Sequence, residues 1–498
     1  MQFPILSIIT FTPIVAAVIL LLMNPERKAE IRMVALAAAV FDLLLSAWVF
    51  VTYYFQFKAG GYQFIEAYDW LRTPMINIQL KLGVDGMSVP LVLLTGIVMV
   101  TGVLISWGID DRPREFFAFL FILASGVFGV FVSLDLFMLF FFYEIAVFPM
   151  FLLIAIWGWV KTREYAAMKL TIYLFIGSVV ALVGVLAMYF ANGHNTGIFT
   201  FDMLVLEKAG FSANFQHLWF MPVFLGFAVL GGIFPFHNWS PDGHVAAPTA
   251  VSMFHAGVLM KLGAFAALRV GIMLLPEGAK FWAPWIFTLA MVNVVYGAFI
   301  AMIQTDMKYV IGFSSVSHMG LVILGFSTLT REGMVGAGMQ MFSHGVMTAL
   351  FFAAVGMVYD RAHTREIAKL GGMAKYLPWV AVSFIIGGLV SMGMPGFSGF
   401  VAEFPIFLGV WKTQWLAAVV ASISIVITAA YVLLVIRRVF FGELPAEFEG
   451  HITPIRVQDK LAMAMLCTCM VVIGLFPAVM VPLVSLGVDN VLRLLGGA

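Results

Sequence analysis

Read for polarity alone, the chain is a series of apolar runs separated by short polar connections. Runs of about 20 residues or more, the length of helix needed to cross the hydrocarbon of a bilayer, begin near residues 3, 31, 84, 116, 135, 168, 217, 247, 281, 308, 332, 376, 414 and 459. This pattern predicts an all-α polytopic membrane protein with about 14 spans. Helix is the expected form because backbone groups in lipid have no water to bond and must pair within their own segment. Two spans are interrupted: "GGIFPFHNW" (231–239) breaks the seventh, and "GMPGFSGFVAEF" (393–404) breaks the twelfth. Proline removes a backbone donor and clashes with the preceding turn, so such breaks survive at membrane depth only where protein or water satisfies the freed groups. Pro235 and Pro395 lie five spans apart, and an odd number of spans places a second copy upside down. The expected organisation is therefore one membrane domain: spans 1–3 in 1–110, a first repeat (spans 4–8) in 116–275, an inverted second repeat (spans 9–13) in 281–442, and span 14 with the C-terminus in 458–498.

Composition narrows the class further. With 62% hydrophobic and 11% charged residues the chain does not read as a soluble domain, and a net charge of +1 offers no surface for nucleic acid. The first run has neither a positive n-region nor a small-residue cleavage site, so it is expected to stay as a helix rather than be removed as a signal peptide. Cys467 and Cys469 lie inside an apolar run without further ligands and are expected to pack. Lysine and arginine mark orientation. Sixteen of them fall in odd-numbered connections, among them Arg27, Arg112, Lys161, Lys308, Arg361, Arg365 and Arg456, whereas seven fall in even-numbered ones: Lys58, Arg72, Lys81, Lys208, Lys280, Arg331 and Lys412. Odd connections should face the cytoplasm and both termini the opposite side.

Against this background the ionisable residues inside spans stand out. A charge near mid-bilayer costs about 2.5–3.5 kcal/mol on insertion scales, and such residues usually mark ion or proton pathways. Glu144 sits in the fifth span within "FFFYEIAVF", Lys261 in the eighth, His318 in the tenth, His344 in the eleventh and Glu403 in the broken twelfth, with His237 and His255 near the seventh and eighth. Gln340, His344 and Thr348 recur every four residues and so share one helix face, expected to point into the bundle. His255 alone reads more simply as a hydrogen-bonded core residue. Buried carboxylates and lysines exchange protons nearer neutrality than in water, histidine does so already, and moving one charge changes the proton affinity of the next. The set therefore reads as a proton relay. No phosphate loop, haem, iron-sulfur or zinc ligand pattern accompanies it.

The motifs "FFFYEIAVFPMFLLIAIWG", "FPFHNWSPDGHVAAPTA", "LMKLGAFAALR", "SSVSHMG" and "GMPGFSGFVAEF" resemble those of the antiporter-like subunits of respiratory complex I, the bacterial NADH-quinone oxidoreductase, over nearly the whole chain. Among these the M type is the nearer match, because L- and N-type relatives and cation/proton antiporter subunits usually carry lysine where Glu403 stands. The resemblance implies a proton-translocating subunit of the membrane arm in a bacterial inner membrane, driven by quinone reduction elsewhere. It implies L- and N-type and small membrane subunits as partners, and no cofactor in this chain, with NADH, FMN, iron-sulfur clusters and quinone in partner subunits. Carried over by motif, Glu144 resembles the input glutamate, Lys261 the central lysine and Glu403 the exit group, with His237, His318 and His344 along the same axis. One position departs: the family's lysine five residues before the proline of "PFHNW" is Leu230 here. That removes the expected counter-ion of Glu144, for which Lys169 and His255 are candidate substitutes. Two further readings follow, a subunit of a cation/proton antiporter or ion-coupled bicarbonate-uptake complex, and a structural paralogue that fills the arm without pumping.

Overall fold

A computed structural model describes residues 3–56, 60–73, 76–450 and 452–496. Lys58, counted above among the even-side cations, lies outside the described residues. The long helices are α1 (Ile5–Leu22), α2 (Lys28–Gln56), α3 (Ser88–Ile105), α4 (Pro113–Val132), α5 (Leu136–Trp157) and α6 (Arg163–Thr196). After them come the interrupted pair α7 (Ala213–Ala228) and α8 (Trp239–Ala246), then α9 (Thr249–Ile272), α10 (Pro276–Ile303), α11 (Met307–Ser327) and α12 (Arg331–Ala362). A second interrupted pair, α13 (Pro378–Ser391) and α14 (Ser398–Thr413), precedes α15 (Trp415–Phe440), α16 (Val457–Leu475) and a short α17 (Val481–Leu494). Among the described residues 12 helices are long and apolar enough to cross a membrane, and the two interrupted pairs fall at the proline breaks read from the sequence.

Hydrophobicity all round each helix says only that it is in lipid or protein. Burial separates the two. Helices α3, α4, α9, α11 and α12 are enclosed on nearly every side, whereas in α1, α2, α6, α10, α15 and α16 fewer than half of the residues in the most apolar stretch are buried. The enclosed helices α9, α11 and α12 carry Lys261, His318 and His344, so the burial cost of those groups is borne where protein atoms, not lipid, surround them.

The connections sort by parity. Those numbered odd meet at one end of the bundle, where Ser106, Trp159, Ala247, Lys308, Arg361 and Arg456 line one cavity. At the other end lies an element the sequence reading had treated as a connection: a hairpin of β1 (Gln63–Arg72) and β2 (Asn77–Val84), antiparallel with Gln63 opposite Val84 and Arg72 opposite Asn77. Its role is to tie even-side ends together. Glu66 accepts from the Leu6 and Ser7 amides at 2.7 and 3.0 Å, where a carboxylate favours a helix start. Lys81 pairs with Asp202 at 2.6 Å. Just past β2, Asp85 forms an ion pair with Arg269 of α9, both side chains under 5% exposed, and Arg269 also donates to the Tyr62 hydroxyl at 3.0 Å. Removing one partner of a buried pair leaves an uncompensated charge at about 3–5 kcal/mol. Arg269→Met should therefore lower the thermal midpoint of the solubilised protein strongly, and Asp85→Asn combined with it should recover part of the loss.

The starts of α5 and α11 are built alike. Asp135 accepts from the Phe137 and Met138 amides, and Asp306 from those of Lys308 and Tyr309. Each start is also clasped to a later segment by two backbone bonds. In the first, Leu136 donates to Phe201 and Met203 to Leu134; in the second, Met307 donates to Arg365 and Ile367 to Thr305.

Candidate functional site

The breaks in the interrupted pairs share a device: a glycine at positive φ shortly before the proline, Gly232 at 75° and Gly393 at 65°. The second brings backbone against a functional group, since a Cβ on Gly393 would stand 2.9 Å from Glu403 Oε2. Glu403 therefore projects from the first turns of α14 into the bundle, 4% exposed.

Four of the residues singled out by the sequence converge there. Lys261 Nζ lies 2.8 Å from His344 Nδ1 and also donates to the Ala256 carbonyl. The rings of His344 and His318 stack with centroids 5.3 Å apart. His318 Nε2 lies 3.5 Å from Glu403 Oε1, which also accepts from Gln340 Nε2 at 3.2 Å. His318 Nδ1 meets the Ser314 carbonyl at 2.8 Å, and Nε2 meets the Ser391 carbonyl at 3.2 Å. Acceptors thus face both ring nitrogens, an arrangement that accommodates a doubly protonated imidazole. Of the four-residue stripe on α12, Gln340 and His344 do face this line, whereas the Thr348 hydroxyl bonds back to the His344 carbonyl.

Glu144 and His237 stand apart from that line. Half-buried Glu144 lies between the exposed Phe141 and Phe148 of α5, with Ser178 of α6 beside its carboxylate. Its Oε1 has no hydrogen-bond partner among the described residues. Neither candidate counter-ion reaches it: Lys169 pairs with Asp242 at 2.7 Å, and His255 stacks between Trp239 and His244. Leu230 is fully buried. Its segment packs on Gly177 of α6 through Gly226 and Val229 and on Gly263 of α9 through Gly231, so an apolar wedge separates the surroundings of Glu144 from those of Lys261. His237 is enclosed by Phe234 and Tyr296, with neither ring nitrogen bonded among the described residues.

Several groups were not singled out by the sequence reading. Asp242 of α8 bridges Lys169 and the Tyr309 hydroxyl. His244 lay inside a quoted motif and could have been found as a second histidine of the seventh to eighth span. Lys308, counted as a connection cation, is instead the second residue of α11 and 5% exposed. Asp42 of α2 is a fully buried carboxyl whose oxygens are unpartnered among the described residues.

Residues 133–428 match the family described as NADH:quinone oxidoreductase/Mrp antiporter, TM. The chain belongs to this family. NADH-quinone oxidoreductase subunit M of Rhodobacter capsulatus is 37% identical over 501 residues, covering 98% of this chain and 96% of that protein. NAD(P)H-quinone oxidoreductase chain 4 of Acaryochloris marina is 35% identical, covering 96% and 90%. In structure, a chain of respiratory complex I from Thermus thermophilus with bound NADH superimposes with a TM-score of 0.89 at 26% identity, over 99% of this chain and 100% of that one. A chain of the Mrp complex from Dietzia shares the fold, with a TM-score of 0.85 at 19% identity, over 99% and 100%. The chain is an antiporter-like membrane subunit of the complex I type, and the resemblance to the M type holds over its whole length.

Proposed function

We propose that this chain translocates protons within the membrane arm of a complex I in a bacterial inner membrane, with Lys261, His344, His318 and Glu403 passing the proton in that order. The contact line from Lys261 to Glu403 carries this reading: its two outer steps lie at 2.8 and 3.5 Å, and its middle step is a histidine stack. Such a line needs no cofactor in this chain; NADH, FMN, iron-sulfur clusters and quinone belong to partner subunits, whose redox chemistry supplies the driving force. The apolar face of α5 around Glu144 suits a neighbouring membrane-arm subunit, L- or N-type or one of the small ones, and Glu144 is the input-side group at that contact, with His237 as a further proton acceptor. The end where the basic odd connections meet faces the cytoplasm, which places both termini on the other side.

Glu403→Gln tests the exit. The amide keeps the shape and the Gln340 contact but cannot ionise, so the complex should assemble normally while quinone-linked proton release in sealed vesicles falls severalfold. Wild-type release would make Glu403 a structural residue.

A further inference from the structure

We propose that Asn293 of α10 is a positioning residue of the relay: its amide ties the first break to the turn of α11 that carries His318, and so sets how His318 meets Glu403. The inference rests on the relay reading above and adds a residue that carries no proton itself.

Asn293 is fully buried. Both hydrogens of its Nδ2 are used between elements, one on the Gly232 carbonyl at 3.0 Å and one on the Val316 carbonyl at 3.1 Å. Both partners are acceptors, so the amide nitrogen is the atom that must face them. The first acceptor is a product of the break. In a continuing helix the Phe236 amide would bond to Gly232, but it donates to the Ile233 carbonyl at 2.7 Å instead. The second acceptor lies on α11, two residues before His318. Beside it a bond runs the other way, from Ser317 Oγ to the Val294 carbonyl at 2.7 Å. The helices approach this closely because they meet at glycines. A Cβ on Gly297 would stand 2.8 Å from the Ser317 amide nitrogen, and one on Gly320 would stand 2.8 Å from Asn293 Cβ.

The same turn reaches the second break. His318 Nε2 meets the carbonyl of Ser391, the last residue of α13, at 3.2 Å and lies 3.5 Å from Glu403 Oε1. One turn of α11 is thus joined to both breaks, to the first through Asn293 and to the second through His318. The first hold is an amide that keeps its hydrogens at every pH, whereas the second is an imidazole that gains and loses them. The fixed hold therefore places the titrating one. At 3.5 Å the His318–Glu403 contact stands just beyond ordinary hydrogen-bond length, and a misplacement of about 1 Å can slow a reacting step about a hundredfold. Packing alone does not explain the residue. Asparagine is a poorer helix former than leucine, and its Oδ1 here has no hydrogen-bond partner among the described residues. Leucine would fill the contact without either cost, but it cannot supply the two donors.

The test uses intact complex in sealed membrane vesicles. Asn293→Leu removes both donors, and Asn293→Thr serves if leucine prevents assembly. The expected result is a proton-to-electron ratio lowered as far as in His318→Gln, with quinone reduction retained. Two readouts separate positioning from general damage. In infrared difference spectra the band that Glu403→Gln removes should shift in Asn293→Leu. In the double variant of Asn293→Leu with His318→Gln the ratio should fall no further than in His318→Gln alone, because the amide acts through that ring. A wild-type ratio in Asn293→Leu beside a lowered one in His318→Gln would overturn the positioning role and leave the relay standing. An unmoved Glu403 band, or losses that add in the double variant, would do the same. A wild-type ratio in His318→Gln would overturn the relay itself.

Discussion

Lys261→Ala should yield a complex that assembles, oxidises its donor and moves measurably fewer protons per electron. The lysine is fully buried in an enclosed helix, and its Nζ is the origin of the contact line to Glu403. Alanine can neither hold nor pass a proton, and no other amine within that helix can replace it: Arg269 lies two turns away and is committed to Asp85. Stability argues in the same direction. Burying an ammonium at this depth costs about 2.5–3.5 kcal/mol, so loss of the lysine removes a cost and offsets the cavity that alanine leaves. Lys261→Met, which fills that cavity, should match alanine in pumping and exceed it in thermal midpoint. A proton-to-electron ratio equal to wild type in either variant would exclude Lys261 as a carrier.

Leu230→Lys should have the opposite character, adding a charge where the chain has an apolar wedge. Glu144 Oε1 has no hydrogen-bond partner among the described residues, and an unpaired carboxylate in a half-buried site is expensive, so the neutral acid is the expected form. The wild-type protein should accordingly show a carboxyl C=O stretch in infrared difference spectra that disappears in Glu144→Gln. A lysine at 230 would pair with Glu144, remove that stretch at neutral pH and change the pumping rate severalfold. An ionised Glu144 in the wild-type protein would contradict this account.

How much of this was legible beforehand follows from which signals survive in one dimension. Apolar runs and prolines are local, so the spans and both breaks could be read directly. The hairpin was readable in principle, since "NIQLKLGV" alternates apolar and polar residues in the manner of a strand. Lying between two membrane runs, it passed for a connection. Among the ionisable residues, Lys261, His318, His344 and Glu403 were found because each interrupts an apolar run. Lys308 escaped because it sits at the mouth of a helix, where a cation is expected in water, and only tertiary packing encloses it. The partner of Lys169 could not be foreseen either. Asp242 lies in α8, and the side chain it meets depends on how that half-helix returns beside α6.

The paired backbone clasps at the starts of α5 and α11 bear on how such a subunit can move. Each ties a helix start to the segment that follows the next long helix, at opposite ends of the bundle. Each clasp lies within one repeat, so it resists sliding or unwinding of the start of α5 or α11 inside that repeat. Repeats fastened in this way keep those two helix starts in place while side chains, ring rotations and water chains rearrange around them. Turnover should then leave amide hydrogen exchange at Leu136, Met203, Met307 and Ile367 unchanged, and the work of transport would be done by shifting charge rather than by shifting mass.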